Sequence, residues 1–187
     1  MAGRTQNGSG RHGSRWRIVV WGTAAFLLLL PLIAMQFTNE VNWDETDFIV
    51  FGVMLAVACG TYELAARATG NGAYRVGVGI AVVAAFILVW MNLAVGIVGN
   101  EDNPFNLMYG GVLAVAFAGA VIARFQPDGM ARAMVAASIA QVLVAAIAQA
   151  AGHFTWVLTA VFVALWLGSA SLFRKAGREQ TPAGSLT

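Results

Sequence analysis

Charge is what this 187-residue sequence has least of: Asp, Glu, Lys and Arg make up 11% of it, against 59% hydrophobic residues. A soluble domain needs more charge to cover its surface, so this composition belongs to a membrane protein. Cysteine is nearly absent too. The single Cys59 rules out an intramolecular disulfide and any CxxC metal or redox motif. Histidine occurs only as His12 and His153, and zinc enzymes normally need several N or S ligands. Gly-x-Ser-x-Gly, Walker, HExxH and dinucleotide fingerprints are all missing. No catalytic, cofactor-binding or metal-ligating residue is therefore assigned, and no cofactor or nucleic-acid partner is expected.

What the sequence has is length in its apolar runs. Six of them, 16–37, 48–66, 74–99, 105–125, 130–151 and 154–173, reach the ~20 residues that cross ~30 Å of hydrocarbon. The expected fold is all-α, a polytopic bundle of six transmembrane helices. Residues 1–15 read as a disordered basic tail, 16–174 as one transmembrane domain and 175–187 as a short second tail. The first run is over-long and no A-x-A site follows it, so an uncleaved first helix is expected.

Under six spans all eleven Lys and Arg fall on one side. They are Arg4, Arg11, Arg15, Arg17, Arg67, Arg75, Arg124, Arg132, Arg174, Lys175 and Arg178. The opposite loops hold Glu40, Asp44, Glu45, Asp47, Glu101 and Asp102 with no base among them. Basic loops mark the cytoplasmic side, which puts both termini inside.

Local signals refine the spans. Thr46 or Asp47 suits the N-cap of the second span, and Asn103-Pro104 reads as the N-cap and first residue of the fourth. Small residues repeat at Gly52, Ala56 and Gly60, and again over Gly110, Gly111, Ala114, Ala118 and Gly119, a pattern that lets helices approach closely. FGVMLAVA (51–58) echoes YGGVLAVA (109–116), a weak signal of an internal repeat.

The polar residues inside the spans are the candidates for function. Glu63 is the one acid within a span; an ion pair with Arg67 at i+4, or with Arg75, is the structural reading and a proton or cation relay the functional one. Asn92, Gln141 and Gln149 read first as hydrogen-bonding glue between helices. The alternative is a polar pocket in the outer half of the membrane. Ala137, Gln141, Ala145 and Gln149 stand four apart and are expected on one face. The turn 99–104, with Glu101 and Asp102, offers oxygen ligands to a hard cation but is better explained as the start of a helix.

The run VWMNLAVGIVGNEDNPFNLMYGGVLAV, followed by ARFQPDGMARAM, resembles a family of small bacterial multi-spanning membrane proteins. The resemblance covers about 47–150. It implies a bacterial cytoplasmic (inner) membrane and carries over no activity, ligand or partner. The partners expected are the lipid bilayer and either a second copy or a larger membrane complex. Three functions are open: a structural or accessory bundle first, a small transporter or ligand-binding bundle second, and an outer-surface enzyme using Glu101, Asp102 and His153 third.

Overall fold

In the computed structural model, which describes residues 10–100 and 102–180 with side chains from residue 16, six helices are long and apolar enough to cross a membrane. They are α1 (Gly10–Ala34), α2 (Glu45–Ala68), α3 (Gly72–Ala94), α4 (Leu107–Ile122, which reaches span length together with the 3₁₀ turn Pro104–Asn106), α5 (Pro127–Ala150) and α6 (Trp156–Gln180). No strand occurs among the described residues. The chain is an all-α, multi-pass membrane protein.

Helix α1 starts at Gly10, within the stretch 1–15 set apart as a tail. Once the apolar segment has formed a helix, each further residue adds a hydrogen bond without a new nucleus. Residues 1–9 and 181–187 lie outside the described residues. Helix α6 runs on to Gln180, past the expected end at 173.

Close contacts divide the chain into two units, Met1–Leu64 and Ala65–Thr187. In the first, the cap of α2 is Asp44, not Thr46 or Asp47. Asp44 Oδ1 accepts from the Asp47 N–H at 3.0 Å, and Asp47 Oδ2 accepts from the Asp44 N–H at 3.0 Å. This reciprocal capping box satisfies two N–H groups that the helix start leaves free, which a cap at either later position would not. Trp43 stands edge-on to Phe48 and Phe51 just beside it. The buried line of α2 is Phe51, Leu55 and Cys59 and not the small-residue stripe; a Cβ at Gly60 would touch nothing within 4 Å.

The second unit is built on α5, which packs against α4 and α6, while α3 packs mainly against α6. Five of its eleven buried residues are alanine, Ala131, Ala133, Ala137, Ala145 and Ala148, so neighbours come close. A close approach within the spans is at Gly119 of α4, where a Cβ would stand 2.7 Å from Ala133 Cβ and 3.2 Å from Ala133 Cα. The expected small-residue face of α4 is otherwise outward: Gly110, Gly111, Ala114 and Ala118 are exposed, while Tyr109, Val112, Ala116 and Ala120 are buried.

At the basic end of this unit the connections are pinned by side chains. Asn71 caps α3 through the Tyr74 N–H and donates to Glu179 of α6 at 2.8 Å. The Tyr74 hydroxyl donates to Phe125 O at 2.8 Å, holding a turn in which Arg124 and Phe125 are both left-handed (φ 49 and 58). Two successive non-glycine residues in that region are uncommon and persist because the surroundings fix them. Arg75 donates to Ala66 O and Thr69 O. The buried side of α6 at this end carries Phe173 and Ala176, both fully buried, with Tyr74 edge-on to Phe173.

Candidate functional site

Glu63 is held within the first unit by α1. Its Oε1 takes the Arg17 Nε at 2.7 Å and its Oε2 the Trp21 indole N–H at 3.0 Å. Arg75, one of the expected partners, instead donates to the Ala66 and Thr69 carbonyls. Arg17 keeps 61% of its side chain exposed, so the pair is worth only ~0–1 kcal/mol. These α1 partners, around a carboxylate near the end of α2, fit a structural tie.

The three amides do not act as glue between helices. Asn92 donates to Leu88 O of its own helix at 2.7 Å, the four-residue back-bond open to a short polar side chain. Its buried Oδ1 has no partner among the described residues. Gln141 is 0% exposed, and neither its Oε1 nor its Nε2 has a partner there. Gln149 is exposed. Each four-residue step advances ~400°, so the line drifts ~40° per step. Ala137, Gln141 and Ala145 stay inside and Ala148 takes the next buried place.

Asp102 is exposed, Glu101 lies outside the described residues, and no group of three His, Cys, Asp or Glu that could hold a metal ion occurs among those described. Asn103 caps the Phe105 N–H at 3.0 Å with Pro104 next, as expected, although the first turn, Pro104–Asn106, is 3₁₀. His153 lies beside the Phe105 ring, 6.3 Å between centroids.

What organises this end of the molecule is Asn106, a residue the sequence reading passed over. Its side chain is buried; Oδ1 accepts from the Ile97 N–H at 2.9 Å and the Val98 N–H at 2.8 Å, and Nδ2 donates to Asn100 O at 2.6 Å. The segment bends at Gly96 (φ 69) and Gly99 (φ 73), backbone that favours glycine, and so turns Val98 inward to complete burial. The glycines at 96 and 99, followed by an asparagine just inside the next helix, are the signal that was available.

Gln141 is not alone. The Tyr109 and Thr155 hydroxyls, the Thr159 hydroxyl and the Trp166 indole N–H are also buried without a well-formed hydrogen bond among the described residues. Thr159 and Trp166 fall within ~20° of arc on α6, at ~100° per residue, and Thr155 immediately precedes the helix. At ~1.5 Å per residue, Gln141 and Trp166 are each ~15 Å from the α5–α6 turn, on two helices packed together. Unmet polar groups therefore run from the end of the helices that carries Thr155 to about half the ~30 Å hydrocarbon thickness. There the series closes. Ser169, one turn further, donates to Gly77 O of α3 at 2.8 Å, and the apolar Phe173 layer follows.

An unmet buried polar group costs ~1–3 kcal/mol, and this interior holds several. It is chemically a set of donors and acceptors without a charge: among the described residues no Asp, Glu, Lys, Arg or His of this unit is buried. No family model matches the chain, and neither a curated protein nor a solved structure does.

Proposed function

We propose that the chain is a small ligand-binding or transport protein of the bacterial cytoplasmic membrane, with its polar site inside α3–α6 in the outer half of the bilayer. The observation that carries this reading is Gln141, fully buried at mid-helix with both amide atoms unpartnered. An accessory bundle held together by interhelical hydrogen bonds would use its intramembrane amides for them; among the described residues Asn92, Gln141 and Gln149 make none. Buried polar groups kept against the interest of stability are typical of functional sites.

The two readings part on Gln141→Met, a change of similar volume. In detergent without added ligand, the variant is expected to melt at the wild-type temperature or above it, because an unmet amide has been removed at little packing cost. A clear fall in melting temperature would give Gln141 a packing role and favour the accessory reading.

The orientation rests on the basic residues. Within the second unit Arg75, Arg124, Arg132, Arg174, Lys175 and Arg178 gather at the end opposite Thr155 and His153. Reporter fusions are expected to place 70–72 and 128 in the cytoplasm and 40–46, 100–103 and 152–153 outside. A cytoplasmic signal from 101 would overturn this orientation.

A further inference from the structure

We infer that the ligand of this interior is a small neutral primary amide, an inference that rests on the binding reading above. The hydrogen-bonding inventory selects it. Gln141 offers an acceptor and an NH₂ on one planar group, and Trp166 at the same depth offers a donor alone. The partner that satisfies a primary amide most completely is another primary amide, which accepts from its N–H and donates to its carbonyl in one cyclic pair. The second lone pair of the ligand carbonyl is then free for the Trp166 indole N–H. The hydroxyls of Thr159, Thr155 and Tyr109, which donate or accept as required, lead towards the outer end of the helices.

Charge selects against ions. With no buried acid or base in this unit, an ion entering it would lose its water and gain no counter-charge. A carboxylate would fare worse still. Its two oxygens only accept, so the Gln141 carbonyl would stay unmet and face a like charge. Acetamide and acetate, nearly equal in shape, should therefore behave oppositely. A polyol could donate to Gln141 Oε1 and accept from its NH₂ only through separate hydroxyls, without the planar match.

The full-length protein, labelled with ¹⁵N at the tryptophan indoles and held in detergent micelles, provides the test. The Trp166 indole resonance is assigned as the one that disappears in Trp166→Phe. Titration with acetamide is expected to shift that resonance saturably, while acetate and glycerol at equal concentration leave it unmoved. Gln141→Met should abolish the acetamide shift with the Trp166 signal still in its folded position. An equal response to acetate or glycerol, no response to acetamide, or a response that survives Gln141→Met would overturn the assignment. That failure is separable from failure of the binding reading, which the melting temperature of Gln141→Met decides without any ligand.

Discussion

Replacing Asn106 by leucine is expected to destabilise the second unit by roughly 2–4 kcal/mol and to free the 95–103 segment. Leucine has nearly the same shape, so packing changes little. What is lost is two acceptor contacts to the Ile97 and Val98 N–H groups, one donor contact to Asn100 O and a longer one to Val98 O at 3.5 Å. Each buried group left unmet costs ~1–3 kcal/mol, and Val98 is wholly buried. Amide hydrogen exchange reads this directly. Ile97 and Val98 should exchange ~10–100-fold faster, since ~1.4 kcal/mol corresponds to tenfold. Asn106→Asp keeps both acceptor contacts but turns an acceptor towards Asn100 O, so it should also loosen the segment. Unchanged exchange at 97 and 98 in the leucine variant would show that the loop is held by something other than Asn106.

The second large effect is expected at Gly119. A valine there would push its Cβ into Ala133, already 2.7 Å from the ideal Cβ position, and add two methyl groups beyond it. Forcing two packed helices apart in this way costs ~1–3 kcal/mol or more. Alanine isolates the cause. Gly119→Ala gains ~0.8–1.0 kcal/mol of helix propensity and still should lower the unfolding midpoint. Combining it with Ala133→Gly removes the facing methyl, so a double-mutant cycle should show the two changes partly cancelling. Simple additivity would mean that the α4–α5 approach is not set at this pair.

These two residues show where the sequence was readable. The six spans follow from run length alone, because every backbone polar group in hydrocarbon must be met within its own helix. The Asn103 cap was legible from Asn-Pro, since that pair acts through backbone neighbours two residues away. Asn106 was not, because its partners are main-chain groups brought round by the bends at Gly96 and Gly99. The small-residue stripe on α4 suggested a close approach but not which glycine makes it; only Gly119 meets its neighbour below 3 Å, while Gly110 and Gly111 meet nothing. For Asn92 the residue type allowed a bond across helices or back to its own turn, and the structure takes the second. The polar interior was half legible. Gln141 stood out as an amide in a span, but Thr155, Thr159, Tyr109 and Trp166 are ordinary membrane residues until their common burial is seen.

In the binding reading the unmet groups around Gln141 face a ligand and not one another. An experimental density map at near-atomic resolution, from protein purified out of its native membrane, tests it most directly. The expected result is non-protein density within ~2.7–3.2 Å of the Gln141 amide and the Trp166 indole nitrogen. A Gln141 amide bonded straight to the Trp166, Thr159 or Tyr109 side chain, with nothing between, would contradict it.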